Sequence, residues 1–338
     1  MGAAEIARFA AVSSATLALG CCAIWGGFVL WFHAPGGKPG RWFCVLLWAA
    51  LSAAALVELW HGRAAAGALA FAPAFGVLLI GWRRIAPSSD RTWADEVAQI
   101  TTGSVDGNRV TLQDVRNFDW RTKSDFTPRW ETRHYDLDRI ESVDMIVSYW
   151  TIPAIAHMLI SFGFAGGEHV VFSVEVRRRK HQSFSEIGGF FKEFELSIVA
   201  ADERDVIRVR TNVRGEDAYL YRIRMPVPAI RSLFLGYIDQ GNALVTTPRF
   251  YNTITVNCTT LVYHMMQHIV GYLPLNYRLL LTGYLPEYVH RVGGLDDRFP
   301  LGELRARGRI TDRARRSDRS ESFSADIRAG IPALEPLG

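Results

Sequence analysis

Three long apolar segments at the N-terminus constrain what this chain can fold into. They span residues 9–32, 42–60 and 64–82, and the first contains no charged residue. At about 1.5 Å of rise per residue, a helix of about 20 such residues crosses the hydrocarbon core of a bilayer. The tripeptide His61-Gly62-Arg63 is short enough to join the last two segments as a hairpin. We therefore predict a transmembrane region of three helices over residues 1–84.

The composition of the chain argues against two classes of protein. The net charge is +4, and no basic stripe with interleaved aromatic residues is present, so we expect no nucleic-acid partner. Cys21, Cys22 and Cys44 lie in the apolar segments, which leaves Cys258 without a partner in its own domain. We therefore do not expect a framework of disulfides.

The charges beside the apolar segments predict an orientation in the membrane. Lys38 and Arg41 flank the first loop, and Arg83 and Arg84 follow the third segment. With three spans, all four residues lie on the same side. Because Lys and Arg are enriched in cytoplasmic loops, this pattern favours a cytoplasmic position for the rest of the chain.

Residues 85–332 carry the signals of an α+β domain. Apolar and polar residues alternate in several short stretches, as in half-buried strands. Two strands joined by Ala165-Gly166-Gly167-Glu168 are predicted to form a hairpin, because paired glycines favour a tight turn. The predicted strands are 108–121, part of 134–150, 156–164, 169–179, 206–213 and 218–225, and the predicted helices are 227–242 and 257–273. The charged residues 304–338 are predicted to form a loosely ordered tail that overlaps the end of the domain.

Cys258 is the cysteine best placed for chemistry. Asn257 is a suitable N-cap for the predicted helix, which would make Cys258 its first residue. The unpaired N–H groups and the dipole of a helix N-terminus stabilise a thiolate and lower the pKa of a cysteine there. The alternative is a small buried side chain without a chemical role.

A nucleophilic thiolate needs a base and a group that orients the base. His264 and His268 lie further along the same predicted helix and point along its flank. They also lack a third ligand, so we expect no metal and no other cofactor. His157, on an otherwise apolar strand, is the better candidate for the base. A hydrogen-bonded histidine in the core is an equally common explanation of such a residue.

Ser173 and Glu175 are two residues apart on the next predicted strand, so their side chains point to the same face. In a hairpin, either could lie beside His157 and hold its ring in one orientation. The alternative for Glu175 is an ion pair with Arg177 or with an arginine of a neighbouring strand.

Tyr251 and Asn252 precede the cysteine closely. Either side chain could support an oxyanion hole built on the N–H of Cys258, with packing and turn formation as the alternatives. In a strand, Arg208 and Arg210 would share a face and could meet phosphate groups. A solvated strand edge, or ion pairs with the neighbouring acidic residues Asp202 and Glu203, is a better explanation of these arginines.

The order of these residues is a histidine strand, a polar strand and then a cysteine helix. A papain-like core normally runs from the cysteine helix to the histidine strand and the polar strand. A circular permutation of that core gives the order found here and leaves the geometry unchanged.

Several separated blocks between Ile85 and the neighbourhood of Pro332 resemble, in order, the bacterial Lnb N-terminal periplasmic domain. The family takes its name from a lipoprotein N-acyltransferase of Gram-positive bacteria. The blocks are "IAPSSDRTWADEVAQ", "YWTIPAIAHMLISFGF", "VVFSVEVRRRK", "VAADERDVIRVRTNVR" and "RFYNTITVNCTT". This resemblance implies a permuted papain-like (NlpC/P60-like) thiol fold, with Cys258 as nucleophile and His157 as base. We prefer Glu175 over Ser173 as the third residue, on hydrogen-bonding capacity.

The resemblance also implies a domain outside the cytoplasm, held at the bacterial inner membrane. This conflicts with the loop charges, and we follow the resemblance because a few loop charges are a small sample. We expect a membrane-anchored cysteine-dependent acyltransferase or hydrolase that forms a thioester on Cys258. Phospholipid or lipoprotein acyl chains are the expected substrates, since three membrane helices hold the site near lipid. The alternatives are a cell-envelope cysteine peptidase or amidase and a non-catalytic envelope protein that retains the fold.

Overall fold

The computed structural model describes residues 2–334. The chain divides into two compact units. The first contains the residues up to Pro87 together with the segment Ser185–Glu193. The second contains Ser88–Phe184 and the chain from Phe194 onward.

The first unit is built on three helices. They are α1 (Ala3–His33), α2 (Gly37–Trp60) and α3 (Ala64–Arg84), and each is long and apolar enough to cross a membrane. The Trp48 ring packs against Gly26, where a Cβ atom would lie only 2.6 Å from the ring. Its Nε1 donates a hydrogen bond of 2.8 Å to the Ala23 carbonyl. A small residue at the contact brings two helices close together, as is common in membrane bundles.

The segment Ser185–Glu193 packs on these helices through Phe191. The Phe191 ring lies 5.2 Å from the Phe28 ring and 5.8 Å from the Phe32 ring, measured between centroids. The Lys192 ammonium lies over the Trp82 ring at 4.6 Å and donates to the Trp82 carbonyl. The sequence analysis did not predict this contribution of a distant segment to the helical unit.

The second unit is built on a large sheet. Its path runs β1-β2-β9-β8-β7-β6-β10, with β5 paired to β2, and β3 and β4 form a separate ribbon. The ten strands are β1 (Thr102–Asp106), β2 (Arg109–Arg116), β3 (Asp119–Trp120), β4 (Phe126–Thr127), β5 (Trp130–Asp136), β6 (Ile140–Tyr149), β7 (Ala156–Phe164), β8 (Glu168–Arg177), β9 (Glu195–Ala201) and β10 (Asp217–Arg222). The predicted hairpin is confirmed, because β7 and β8 pair antiparallel across the glycine turn.

Helices cover both faces of this sheet. They are α4 (Glu203–Arg208), α5 (Val227–Thr246), α6 (Thr260–Val270), α7 (Leu285–Arg291), α8 (Leu301–Gly308), α9 (Thr311–Arg316) and α10 (Phe323–Arg328). Along β7, Met158 packs in the core with α5 and α6, whereas its neighbour Leu159 packs in the core with α4, α9 and α10. A sheet buried on both faces needs apolar residues at successive positions, which explains the near-continuous apolar runs. The architecture is α+β, as predicted.

Two predictions about this unit are wrong. Residues 206–213 are not a strand, because α4 continues there into a π-helix, Val209–Arg214. Asp202 caps α4 by accepting the Arg204 N–H at 2.9 Å, and this local hydrogen bond outweighs the strand preference of the β-branched residues. Nor are residues 304–334 a loose tail, since Phe323 and Ile327 are fully buried against the sheet. The predicted tail beyond residue 334 lies outside the described residues.

Candidate functional site

Cys258 lies at the N-terminus of α6 and is 6% exposed. Asn257 Oδ1 accepts the backbone N–H groups of Thr259 and Thr260, each at 2.9 Å. The Asn257 carbonyl accepts the N–H of Leu261 at 3.2 Å, as the first carbonyl of a helix does. The regular helix starts at Thr260, two residues later than predicted, but Asn257 supplies the cap that fixes the cysteine at its tip.

The thiol sits where β7 and β8 separate. Their pairing runs from Phe164–Glu168 to Leu159–Ser173 and ends there. Beyond that point β7 stays paired with β6, and β8 stays paired with β9. The backbone N–H of Met158 donates to the Cys258 sulfur. The sulfur therefore satisfies an N–H group of a strand end that has lost its neighbour on one side.

His157 lies beside the thiol and is held by Ser173 and Glu175 of β8. Its Nε2 lies 2.7 Å from Ser173 Oγ and 3.4 Å from Glu175 Oε1. Ser173 Oγ donates its hydrogen to Glu175 Oε1 at 2.6 Å. Because a hydroxyl has one hydrogen, the Ser173 oxygen can only accept from His157, which places a proton on Nε2. The remaining ring nitrogen, Nδ1, is then the one that can exchange a proton with the thiol.

Glu175 is fixed in turn by Arg210 on the π-helix. Arg210 donates to Glu175 Oε1 at 3.2 Å and to Glu216 Oε2 at 3.5 Å. Ser148 donates to the same oxygen of Glu216 at 2.6 Å. Ser148 is also the residue of β6 that pairs directly with His157. The imidazole is thus enclosed by a set of mutually bonded polar side chains, which restricts its rotation.

Electrostatics favour charge on both the imidazole and the thiol. Burial and the charge of Arg210 oppose protonation of His157, but Glu175 and the hydrogen bond with Cys258 outweigh them and raise its pKa to about 9. Burial raises the pKa of Cys258, but the bond and charge of His157 and the Met158 N–H leave it below its ordinary value. Burial also works against ionisation of Glu175, yet His157 and Arg210 hold its pKa well below the usual range. The site therefore shifts both groups toward their charged forms, the thiolate and the imidazolium, relative to an isolated cysteine and histidine.

The loop that follows α6 returns to the cysteine. Thr282 Oγ1 lies 2.9 Å from Thr259 Oγ1, and the Thr259 hydroxyl lies 4.0 Å from the Cys258 sulfur. Gly283 donates its N–H to the Ala154 carbonyl at 3.1 Å, in the turn that leads into β7. The turn before the histidine strand and the loop after the cysteine helix are therefore in contact.

Part of the chain matches a known protein family. Residues 126–283 match the family model of the Lnb N-terminal periplasmic domain. This stretch of the chain, slightly under half of it, is similar to that family. The matched residues include the cysteine, the histidine and both polar residues of β8, and they end at Gly283. No curated protein and no solved structure matches the chain.

The family match and the three membrane-length helices together indicate a membrane protein with a periplasmic domain. The cytoplasmic orientation indicated by Lys38, Arg41, Arg83 and Arg84 is therefore wrong. Loop charges orient short loops, whereas long domains cross the membrane largely regardless of charge. The resemblance was the better guide to location.

Other predicted residues of the second unit lie apart from the thiol. His264 and His268 are exposed on α6, and His264 contacts Gln267. Asn252 Oδ1 accepts the N–H groups of Ile254 and Thr255, which builds the turn before the cysteine. The Tyr251 side chain packs against the main core, and its N–H donates to the Phe194 carbonyl. Support of an oxyanion by Asn252 or Tyr251 stays a prediction.

The partners of Arg177 and Arg208 differ from those that the sequence indicates. Arg177 donates to the carbonyls of Val97 and Ala98, so it is not the partner of Glu175. Arg208 pairs with Asp318 at 2.9 Å, and not with Asp202 or Glu203. The pairing of Arg208 depends on α4, because the helix turns this side chain away from the direction it would have in a strand.

Sequence reasoning did not identify Arg210 as the partner of Glu175, and it missed Ser148, Glu216, Thr259 and Thr282. Arg210 was noted only together with Arg208, as two arginines on one face of a predicted strand that does not form. Glu216 and Thr282 carry no local signal, since each becomes part of the site only through contacts between elements distant in sequence.

Proposed function

We propose that this protein is a membrane-anchored thiol acyltransferase or hydrolase with Cys258 as its nucleophile. The observation that carries the proposal is the linked series from the Cys258 thiol through His157 and Ser173 to Glu175, at the tip of a capped helix. A thiol, a base and a group that orients the base form the arrangement used in nucleophilic catalysis by cysteine.

A circularly permuted papain-like fold accounts for the order of these residues. The cysteine helix packs on an antiparallel part of the sheet, and the histidine and the polar residues come from the adjacent strands β7 and β8. Catalysis depends on the spatial arrangement around the thiol and not on the order of the catalytic residues along the chain. Convergent active sites share one geometry although their residues occur in different orders.

The first half-reaction transfers an acyl group to the enzyme. The Cys258 thiolate attacks the carbonyl carbon of an ester or amide and forms a carbon–sulfur bond. The negative charge moves to the carbonyl oxygen. When the intermediate collapses, the bond to the leaving alcohol or amine breaks, and imidazolium His157 gives its Nδ1 proton to that group. A thioester on Cys258 and a neutral imidazole remain.

The second half-reaction releases the acyl group. His157 Nδ1 removes a proton from an acceptor amine or from water as it attacks the thioester carbonyl. The carbon–sulfur bond breaks, and the thiolate–imidazolium pair is restored. Through both halves Ser173 accepts the Nε2 hydrogen, while Glu175, paired with Arg210, stabilises the imidazolium.

Phospholipid or lipoprotein acyl chains at the inner membrane are the proposed substrates. Three helices that can cross a membrane tether the site to a lipid source. A lipid ester offers the carbonyl that the mechanism requires, and no metal or cofactor is needed for this chemistry.

The experiment uses the full-length protein in nanodiscs that contain a phospholipid with isotope-labelled acyl chains. Peptide mass spectrometry should find a hydroxylamine-sensitive acyl adduct on Cys258. The adduct should be absent in Cys258→Ala and strongly reduced in His157→Gln. His264→Gln is the matched control, because His264 is exposed on the same helix as the cysteine.

The result that contradicts the proposal is an unacylated Cys258 in every lipid tested, with a thiol no more reactive than a free cysteine. Acylation of Cys258 by a cell-wall peptide, in place of a lipid, would assign the protein to the alternative class of peptidases and amidases. Addition of an amine acceptor separates transferase from hydrolase activity, since only a transferase gives the acylated amine.

A further inference from the structure

The loop after α6 carries large apolar side chains that are unusually exposed. Tyr272 is 87% exposed and Leu275 is 83% exposed. Among the described residues, the most exposed large apolar side chain of the three membrane-length helices is Leu69, at 77%. Monomeric soluble proteins seldom present such a cluster to water, so it indicates a contact surface.

This loop is held in place by hydrogen bonds to its backbone. The Tyr263 hydroxyl donates to the Leu273 carbonyl at 2.7 Å, and the Tyr288 hydroxyl donates to the Pro274 carbonyl at 3.0 Å. Tyr263 and Tyr288 are themselves buried. The side chains of Tyr272 and Leu275 therefore project from a fixed support.

A second apolar segment lies against the same loop. Trp150 is 42% exposed and Ile152 is 55% exposed, both in the turn between β6 and β7. The two segments meet where the Gly283 N–H donates to the Ala154 carbonyl. We define the apolar rim as residues 150–152 together with the exposed large side chains of 270–281, which are Val270, Tyr272, Leu275, Tyr277, Leu280 and Leu281.

The rim adjoins the candidate site. Its second segment ends at Leu281, next to Thr282, whose hydroxyl contacts Thr259 beside the cysteine. Its first segment leads into β7, which carries His157. The rim is therefore continuous in the chain with residues that lie beside the thiol.

The charges around the rim suit a phospholipid surface. No acidic residue occurs between Asp239 and Glu287, so lipid phosphates meet no carboxylate from this stretch. Arg278 lies within it, and its guanidinium stacks on the Tyr277 ring at 4.6 Å. Tyrosine and arginine beside exposed leucines are typical of segments at the interface between lipid and water.

We propose that the apolar rim docks on the bilayer in which the three N-terminal helices are anchored, and so brings lipid acyl chains to Cys258. The bilayer is the occupant because the tether keeps it next to this domain at all times, and its interface offers both hydrocarbon and phosphate. Docking itself does not require Cys258 to react. Only the delivery of acyl chains rests on the function proposed above.

The experiment places the full-length Cys258→Ala protein in nanodiscs of phosphatidylethanolamine and phosphatidylglycerol that contain a phospholipid with a diazirine on its acyl chain. After illumination and digestion with trypsin, mass spectrometry measures lipid adducts. Peptide 250–278 should carry adducts at Tyr272 or Leu275, at a level comparable with the membrane helices. Peptide 92–109, which holds the 48% exposed Val105 outside the rim, should remain unlabelled.

The double variant Tyr272→Asp/Leu275→Asp should lower labelling of the rim by at least about tenfold, because each aspartate is costly to place in hydrocarbon. Val105→Asp is the matched control and should leave the lipid labelling of the rim unchanged. In the Cys258-containing protein, an unchanged rate of thiol alkylation in the double variant will show that the fold is intact.

Equal labelling of peptides 250–278 and 92–109, or cross-linking of the rim to a second copy of the chain in place of lipid, would overturn the proposal. Because the assay uses Cys258→Ala, its outcome is separate from that of the acyl-adduct experiment.

Discussion

The Ser173 hydroxyl lies 2.7 Å from Nε2 of His157 and gives its own hydrogen to Glu175. Serine therefore stands between the imidazole and the carboxylate, which is 3.4 Å from the same nitrogen. This geometry changes the roles that the sequence indicated, since Ser173 orients the ring and Glu175 supplies the charge behind it. Both are positioning residues, because they act through His157.

Ser173→Ala and Glu175→Gln should then have different effects. Loss of the hydroxyl frees the imidazole to rotate but leaves the carboxylate charge in place. Loss of the carboxylate charge lowers the pKa of His157, because Glu175 is the main group that raises it. Formation of the acyl adduct should slow by about 100-fold in Glu175→Gln, within the range for impaired general acid–base catalysis. Ser173→Thr, which keeps the hydroxyl, should be closer to wild type than Ser173→Ala; equal losses in these two variants would contradict the role given to the hydroxyl.

The reactivity of Cys258 should extend to lower pH than that of an ordinary cysteine. Burial opposes ionisation, but His157 lowers the pKa of the thiol below its usual value. A lowered pKa means that the thiolate persists as the pH falls. The rate of alkylation by iodoacetamide, followed on the Cys258 peptide, should therefore have a midpoint on the acidic side of a free thiol. In His157→Gln the midpoint should rise by roughly one to three units, whereas His264→Gln should leave it in place. An identical midpoint in all three proteins would show that the imidazole does not act on the thiol.

The sequence predicted the parts of the fold that have a local signal. The three apolar segments, the β7–β8 hairpin and the capped helix at Cys258 each depend on neighbouring residues in the chain. The periodicity of β7 and β8 was sufficient to place His157 beside Ser173 and Glu175. Their roles could not be ranked, because the hydrogen bond between Ser173 and Glu175 depends on rotamers and not on residue type.

The rest of the site depends on contacts that are distant in sequence. Arg210 reaches Glu175 only because α4 continues into a π-helix, and the β-branched residues Val206 and Ile207 made that segment resemble a strand. Similarly, the C-terminal helices contain many charged residues. Their few apolar residues, such as Phe323, are recognisable as core residues only once they are seen packed on the sheet. Tertiary packing therefore outweighed local preference at both places.

Arg210 should contribute strongly to stability. It is 8% exposed and lies between two carboxylates, Glu175 and Glu216. Arg210→Gln removes the cation that the two carboxylates share, which should lower the unfolding free energy of this unit by about 3 kcal/mol or more. Chemical denaturation of the full-length protein, followed by hydrogen exchange of the sheet peptides, measures the loss. The double variant Arg210→Gln/Glu175→Gln removes one of the two carboxylate charges and should recover part of the lost free energy of unfolding. No recovery would mean that Arg210 stabilises the unit through other contacts.

Gly283 should be required for the contact between the loop after α6 and the turn before β7. A Cβ atom at this position would lie 1.9 Å from the Pro153 carbonyl oxygen, so the two backbones must move apart in Gly283→Ala. We expect a destabilisation of about 1 to 3 kcal/mol, as for other overpacked sites. Because Thr282 contacts Thr259 beside the cysteine, the alkylation rate of Cys258 should also change. The matched control is Gly302→Ala in α8, where nothing lies within 4 Å of the added Cβ atom and the helix should gain stability. Thermal unfolding and alkylation of the two variants test this directly: if Gly283→Ala left both the melting temperature and the rate at Cys258 unchanged, the loop would not be part of the site.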